Sequence, residues 1–220
     1  MPMTTRSLPR WTRRALLLLI SSTALTASAS ALEARWILQQ LAQPAPSQTG
    51  FVELRGSALL KEPLRVEGQY RRPDNATLVR EVSAPYAETT TIAEGKVSIA
   101  RAGKPPRVFA LQRVPELADL QTSFGALLSG DQAALEQAYR LEPQGTPQRW
   151  QLRLAPRGEA LARRVASITL HGRGNELRCI ETRPAKGDVQ RTLLGGAAVA
   201  AAAVRDADAL TALCHDGGSR

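Results

Sequence analysis

The sequence contains few of the side chains that most enzymes use for catalysis. Its 220 residues include two histidines and two cysteines, and aromatic residues make up 4% of the chain. It has no nucleophile-elbow motif, no histidine and cysteine spacing typical of zinc, and no glycine-rich phosphate loop. His171 ends a predicted strand and His215 lies in the C-terminal tail, so neither has a sequence neighbour that indicates a triad or a metal site. With the carboxylates expected on the solvent-facing sides of strands, we predict a protein that is not an enzyme and has neither a metal site nor a cofactor.

The first 31 residues lack acidic side chains and have the three parts of a secretory signal peptide. These parts are a basic segment with Arg6, Arg10, Arg13 and Arg14, an apolar core from Ala15 to Leu25, and two overlapping A-x-A signals between Ala27 and Ala31. We predict cleavage near Ala29 or Ala31 and a mature protein in the periplasm. An uncleaved membrane anchor and export by the twin-arginine route are the alternatives that the pattern leaves open.

Much of the positive charge belongs to this leader. Without residues 1–31 the formal charge falls from +9 to +5, because four arginines leave and no acidic residue does. The remaining basic residues are distributed along strands rather than grouped, so we expect no nucleic-acid binding. A mildly cationic rim that faces anionic lipid headgroups and an ordinary solvated surface both fit this distribution.

Cysteine is rare, but the number is even, since the chain has Cys179 and Cys214 alone. In an oxidising compartment we expect them to form a disulfide that ties the C-terminal tail to a strand. The loop-entropy model gives such a bond about 3–4 kcal/mol of stabilisation. The alternative is that both are unpaired small apolar side chains.

Most of the mature chain has the period-two alternation of strands, and we predict roughly nine or ten of them in meander order, including a hairpin of 88–93 and 96–101. The predicted helices are an opening helix at 32–41, an inserted helix at 115–128, a second inserted helix with Leu135, Ala138 and Tyr139, and an alanine-rich tail that is helical from about Ala197. This order favours a mainly β fold with a curved antiparallel sheet, whose concave face the inserted helices cover. The predicted domains are the signal peptide at 1–31, the sheet domain at 32–194 and the tail at 195–220.

The stretch from Leu64 to Pro73 is the clearest strand, and it ends in an unusual arginine. Leu64, Val66 and Tyr70 fall on one side of the alternation, and continuing the count places Arg72 on the same apolar side. Pro73 then ends the ladder, because proline has no N–H to donate. A guanidinium stays charged, so Arg72 must reach acceptors or water. Two interpretations remain open: a rim arginine whose head reaches solvent, and a latch that closes a segment over the apolar face.

A series of short motifs extends over most of residues 32–194. The motifs are Trp36 in the opening helix, Phe51-x-Glu53, Pro63-Leu64, Gly68-x-Tyr70, Arg72-Pro73, a hairpin near Gly95, the leucine-rich helices at 115–139, Trp150-x-Leu152-x-Leu154-x-Pro156 and Gly187-Asp188. Together they resemble the periplasmic outer-membrane lipoprotein carrier family, the LolA-like proteins. The resemblance implies an unclosed β half-barrel, lidded by helices, whose concave apolar face accepts acyl chains. It also implies that Arg72, directly before a proline, hydrogen-bonds lid carbonyls and is coupled to opening and closing.

The function that the resemblance implies is that of a monomeric carrier for the acyl chains of lipoproteins or of a related lipid. Its partners are then the acylated cargo, a transient inner-membrane donor and an outer-membrane acceptor. The candidate cavity residues are Leu64, Val66, Tyr70, Leu78, Val97, Ile99, Leu117, Leu120, Phe124, Leu128 and Leu152. The stripe in the inserted helix also fits ordinary packing of a helix on a sheet. The alternative function is a non-enzymatic regulatory or scaffolding module of the envelope that uses the same fold to bind a protein partner.

Overall fold

One antiparallel sheet forms the centre of the structure, a computed structural model that describes residues 32–55, 63–113 and 125–216. Within these ranges the eleven strands are β1 (Ser47–Arg55), β2 (Leu64–Arg72), β3 (Leu78–Ala84), β4 (Glu88–Ala93), β5 (Lys96–Arg101), β6 (Lys104–Ala110), β7 (Tyr139–Thr146), β8 (Arg149–Pro156), β9 (Val165–Arg173), β10 (Glu176–Pro184) and β11 (Gln190–Leu194). The helices are α1 (Ala34–Leu41), α2 (residues 125–129), α3 (Gln132–Ala138), α4 (Glu159–Ala162), α5 (Gly195–Ala201) and α6 (Ala207–Asp216). A short 3-10 helix, Leu111–Arg113, follows β6.

The sheet is open, because β6 lies at one edge and β7 at the other. The order of the strands in space is β6-β5-β4-β3-β2-β1-β11-β10-β9-β8-β7. Neighbouring strands are consecutive in the sequence except for β1 and β11, which pair with Phe51 opposite Leu194. The structure therefore confirms the predicted fold class: a mainly β chain with one curved, unclosed antiparallel sheet and short helices.

The turn between β4 and β5 follows directly from its two residues. Glu94 has a φ of 49° and Gly95 a φ of 69°. Two successive positive φ values give the two-residue hairpin turn whose twist matches that of its strands, and glycine reaches such values without steric cost. The strands on both sides have the bounds that the alternation predicts, 88–93 and 96–101.

The second inserted helix ends one residue earlier than the sequence pattern indicates. α3 begins after Asp131, whose carboxylate accepts a hydrogen bond from a backbone amide at 3.0 Å, as expected of an N-cap. It ends at Ala138, and Tyr139 takes extended dihedral angles as the first residue of β7, where its side chain is buried. The prediction of a helix through Tyr139 is therefore wrong. The sequence pattern missed β7 because Pro143 lies inside it, and proline is tolerated in an edge strand but argues against a central one.

The other helical predictions have mixed outcomes. Of the inserted helix expected at 115–128, residues 125–128 are helical, whereas residues 114–124 lie outside the described ranges. The tail contains two helices, α5 and α6, where the composition predicted one helix from about Ala197. The short helix α4 was not predicted. None of the helices in the described ranges is long and apolar enough to cross a bilayer.

Helices α1, α2 and α3 pack on one face of the sheet, which we call the front face. Side chains from these helices form a buried cluster with the front-face side chains of β7, β8 and β9. The members of this cluster include Ile37, Leu38, Leu127, Leu135, Tyr139, Trp150, Leu152, Leu154 and Leu170. Such burial of apolar surface contributes about 25 cal/mol per Å², so this cluster is the main attachment of the three helices.

Helices α5 and α6 pack on the opposite face of the sheet, which we call the back face. Their apolar residues contact Val52 of β1 and Leu193 of β11. Cys179 of β10 is joined to Cys214 of α6 by a disulfide, with the two Cα atoms 5.1 Å apart. Arg65 of β2 donates hydrogen bonds to the carbonyl oxygens of residues 201 and 204, at 3.0 and 2.9 Å, where α5 ends. The tail is thus attached to the sheet by apolar packing, a covalent bond and charged hydrogen bonds.

Candidate functional site

The strand register brings the candidate cavity residues of β2 to β5 onto the front face. Val66 and Tyr70 lie on the same face of β2, and Tyr70 is opposite Arg80, two residues from Leu78 on β3. Leu78 is paired with Ile92 of β4, and Ile92 is paired with Val97 of β5. Val97 and, two residues further, Ile99 therefore lie on the same face of the sheet as Leu78. Val66 and Val97 are fully buried, whereas Leu64 is 36% exposed at the start of β2.

These residues fall into separate clusters rather than one continuous surface. Val66 packs with Phe51 and Tyr70, while Val97 packs with Ile99 near the 3-10 helix after β6. Leu152 lies elsewhere, in the cluster beneath α1 to α3. Leu128 of α2 is half-buried, and the predicted Leu117, Leu120 and Phe124 lie outside the described ranges. The front face therefore has a helix-packed region over β7 to β9 and a second apolar region on β1 to β5.

The helix-packed region is organised around Trp150. This side chain is 1% exposed, and its indole Nε1 donates a hydrogen bond to the Gly174 carbonyl oxygen at 2.9 Å. Gly172 of the neighbouring strand leaves room for the ring, because a Cβ atom at that position would lie 2.1 Å from Trp150 Cζ2. Around Trp150 the sheet is covered by protein side chains, so this part of the front face is a packed core.

A buried carboxylate interrupts the second apolar region. Glu53 is 6% exposed, and its side chain accepts hydrogen bonds from Arg55 at 2.7 Å and from Arg80 at 2.6 Å. The Arg80 guanidinium also lies 4.7 Å from the centre of the Phe51 ring, a cation–π arrangement. We expected carboxylates on the solvent-facing sides of strands, and for Glu53 this expectation is wrong. The Phe51-x-Glu53 spacing contains the signal, because residues two apart in a strand share a face.

This ion cluster also affects Tyr70. The Tyr70 and Phe51 ring centres are 4.8 Å apart. Burial raises the pKa of the Tyr70 hydroxyl above its usual value of 10, and the Glu53 carboxylate raises that pKa further, against the opposing effect of Arg80. Tyr70 therefore stays protonated at physiological pH and presents a neutral hydroxyl to the front face.

Arg72 lies on the front-face side of β2, where the alternation predicted it, and is 7% exposed. Its Nη1 donates a hydrogen bond to the Gln43 carbonyl oxygen at 2.9 Å, and its Nη2 donates to Asn75 Oδ1 at 3.4 Å. The Gln43 amide in turn donates to the Leu128 carbonyl oxygen of α2 at 3.0 Å. Two consecutive hydrogen bonds thus connect β2 to α2 through the segment after α1, and we call this series the Arg72 link.

Two open pockets lie beside the Arg72 link. The first, of about 550 Å³, is lined by Gln43, Arg72 and Leu128 together with neighbouring residues. The second, of about 300 Å³, lies between Leu128 and the sheet and includes Leu194. Both volumes fall in the range of small-molecule sites, about 300–1,000 Å³. Gln43 and Leu128 line both pockets, so the two pockets share a wall at the end of α2.

Comparison with known proteins identifies one matching family and several solved structures of similar fold. The family described as "Outer membrane lipoprotein carrier protein LolA-like" matches residues 26–217. A LolA superfamily protein of Nitrosomonas europaea, NE2245, is 13% identical, with 75% of this chain and 92% of that chain covered and a TM-score of 0.37. The Pseudomonas aeruginosa MucA/MucB complex is 18% identical over 81% of this chain and 60% of that chain, with a TM-score of 0.39. LprF from Mycobacterium bovis is 12% identical over 74% of this chain and 91% of that chain, with a TM-score of 0.33. No curated protein matches the sequence.

Proposed function

Because the chain belongs to the LolA-like outer membrane lipoprotein carrier family, we propose that it is a periplasmic carrier of acylated cargo. It takes the acyl chains of lipoproteins, or of a related lipid, from an inner-membrane donor and passes them to an outer-membrane acceptor without catalysing a reaction. The observation that supports this proposal is the Arg72 link, which connects β2 to α2 on the front face, beside two open pockets.

Cargo binding rests on the apolar area of the front face and of the pockets beside α2. Each methylene group removed from water contributes about 0.8 kcal/mol, so an acyl chain gains several kcal/mol even when it is only partly enclosed. The pocket between α2 and the sheet is lined by Leu41, Leu127, Leu177 and Leu194, which supports a chain-binding role for it. Leu64, which is 36% exposed at the start of β2, adds apolar surface to the front face.

The ion cluster on the front face restricts how an acyl chain can lie. Glu53 pairs with both Arg55 and Arg80, so one positive charge of this cluster is not balanced within it, and the Arg55 side chain is 39% exposed at the same end of the sheet as Leu64. A carboxylate or phosphate of the cargo could pair with Arg55 at that end, while the hydrocarbon follows the apolar residues. The protein would then carry an amphiphile in one orientation.

Cargo release rests on the Arg72 link. A guanidinium that donates to a backbone carbonyl makes a charge-assisted hydrogen bond, worth about 1.5–3 kcal/mol. This energy is large enough to favour the position of α2 that the structure shows and small enough to be offset by a partner or by cargo. The disulfide between Cys179 and Cys214 is consistent with the oxidising compartment that such a role requires.

Native mass spectrometry of the exported protein, purified without detergent, tests the proposal. We expect a fraction of the molecules to carry additional mass that corresponds to lipid. Leu64→Glu places a charge on the front face and should reduce this fraction severalfold. The matched control is Val108→Glu, since Val108 is 63% exposed and lies on the back face of edge strand β6, where it should leave lipid retention unchanged.

Absence of lipid in protein isolated directly from the envelope, together with failure to bind a fluorescent fatty acid, would contradict a carrier function. Retention of a stoichiometric protein partner by such lipid-free protein would favour the regulatory or scaffolding module instead. Equal loss of lipid in Leu64→Glu and Val108→Glu would show that the front face is not the binding surface.

A further inference from the structure

The fold brings every histidine and cysteine of the chain to one place on the back face. The sequence has two of each, and they are far apart in it. His171 of β9 is opposite Cys179 of β10, and the disulfide holds Cys214 and the adjacent His215 of α6 against these strands. Sequence spacing carries no sign of this convergence, because it depends on the β9–β10 register and on the position of α6.

The geometry of this group suits a metal ion. The two imidazole ring centres are 5.2 Å apart, and His215 Nε2 lies 3.0 Å from Glu181 Oε2. One donor atom each from His171, Glu181, Cys214 and His215 lies within 4.8 Å of the others. Two ligands of a tetrahedral zinc ion, with bonds of about 2.0–2.1 Å, are about 3.3 Å apart, so the most distant donor atoms of this group must approach each other by about 1.5 Å to share one ion. Cys214 is engaged in the disulfide, which leaves the two imidazoles and the carboxylate as ligands.

His171 provides an independent sign that a ligand is missing from this place. Its side chain is buried, at 7% exposure, yet neither Nδ1 nor Nε2 has a hydrogen-bond partner among the described residues. Buried polar groups in folded proteins are nearly always satisfied. A cavity of about 20 Å³, lined in part by His171, His215 and Gln151, lies beside the ring. That volume accommodates one water molecule or one ion.

We propose that His171, His215 and Glu181 bind a divalent transition-metal ion of the Zn²⁺ class, with solvent water completing its coordination on the side of His215, whose side chain is 40% exposed. Imidazole and carboxylate are ordinary zinc ligands. Arg191 lies 3.0 Å from Glu181 Oε2, and Arg149 donates to the His215 carbonyl oxygen at 3.1 Å, so the ion enters a site with positive neighbours. The affinity should therefore be lower than that of the same ligands without cationic neighbours. The bound ion would attach α6 to β9 and β10 beside the disulfide.

Isothermal titration of the mature chain with Zn²⁺ tests this site, using oxidised protein that carries no polyhistidine tag. We expect one equivalent to bind, with His215→Gln and His171→Gln each lowering the affinity at least tenfold. Because the chain has two histidines, imidazole ¹⁵N resonances report this site alone, and both should shift on Zn²⁺ addition. Zn²⁺ should also raise the melting temperature of the wild type, since a ligand that binds only the folded state stabilises it.

The matched control is Glu142→Gln. Glu142 also lies on the back face between two arginines, 2.7 Å from Arg140 and 2.6 Å from Arg153, but without a histidine. It should leave Zn²⁺ affinity unchanged. If millimolar Zn²⁺ shifts neither imidazole, or if His215→Gln binds as well as the wild type, the site holds water only and the proposal is wrong. His215 is half-exposed, so its variant remains informative even if the buried His171→Gln does not fold.

Discussion

Arg72→Met is the sharpest test of the Arg72 link. Methionine has a similar length but neither charge nor donor, so the substitution removes the hydrogen bond to the Gln43 carbonyl oxygen at 2.9 Å and little of the packing. A charge-assisted hydrogen bond contributes about 1.5–3 kcal/mol, which corresponds to a change of about tenfold to a hundredfold in the equilibrium for local opening. The weaker contact with Asn75, at 3.4 Å, adds little.

The Gln43 amide is the direct reporter, because it donates to the Leu128 carbonyl oxygen at the end of α2. Hydrogen exchange followed by NMR should show this amide exchanging about ten times faster or more in Arg72→Met than in the wild type. The free energy of global unfolding should change by about 1 kcal/mol or less, since the buried guanidinium loses its desolvation cost together with its hydrogen bond.

Arg71→Met is the matched control for this experiment. Arg71 is the adjacent residue on the back face, its side chain is 41% exposed, and it is paired with Glu81. Loss of such a surface pair costs about 0–1 kcal/mol and should leave the Gln43 amide unaffected. Exchange of that amide within threefold of the wild-type rate in Arg72→Met, or the same acceleration in both variants, would refute the link between β2 and α2.

Three further predictions concern stability. Gly172→Ala should lower the unfolding free energy by about 2–4 kcal/mol in urea titrations followed by tryptophan fluorescence, because the new Cβ would lie 2.1 Å from Trp150 Cζ2. Glu53→Gln should cost about 2–4 kcal/mol by the same assay, because Arg80, whose side chain is 17% exposed, loses its only ion-pair partner among the described residues. Reduction of the disulfide should cost about 3–4 kcal/mol and lower the melting temperature measured by circular dichroism.

Each stability prediction has an internal control. Gly158→Ala introduces a Cβ with nothing within 4 Å and should be close to neutral, so an equal cost at both glycines would contradict the packing argument. Glu142→Gln affects a solvent-exposed pair and should cost less than about 1 kcal/mol. A melting temperature unaffected by dithiothreitol, with complete reduction verified by mass, would show that the covalent bond to α6 adds nothing to stability.

Local patterns were sufficient to predict much of the sheet. From Leu64 to Tyr70, apolar and polar side chains alternate along the strand. This alternation alone decides which side of β2 faces the protein and which faces water, so the sequence was sufficient to predict it. The turn at Glu94 and Gly95 was predictable because positive φ is a local requirement. β7 was missed because Pro143 weakens a strand signal, and only the sheet order reveals that this strand lies at an edge.

The candidate sites were less predictable, because they depend on partners that are distant in the sequence. Alternation placed Arg72 on the apolar side but could not identify the Gln43 carbonyl as its acceptor. The burial of Glu53 depends on Arg80 from another strand, and a single strand pattern does not contain that pairing. The apolar stripe predicted at 117–128 was consistent with both a lid and a core helix, because helical periodicity records the buried face and not what covers it.

The pairing of β1 with β11 has a consequence for how the chain acquires its structure. These strands lie next to each other in the sheet, yet almost the whole domain separates them along the sequence. During synthesis from the N-terminus, one side of β1 keeps unpaired backbone groups until residues 190–194 emerge, and such an edge invites association with other chains. The pairing of β1 is therefore completed by β11, the last of the described strands, and α5 and α6, which follow directly, cover β1 and β11 on the back face. A nascent chain that stalls before Gln190 would present an aggregation-prone edge, so the residues that form β11 also remove an exposed edge of β1.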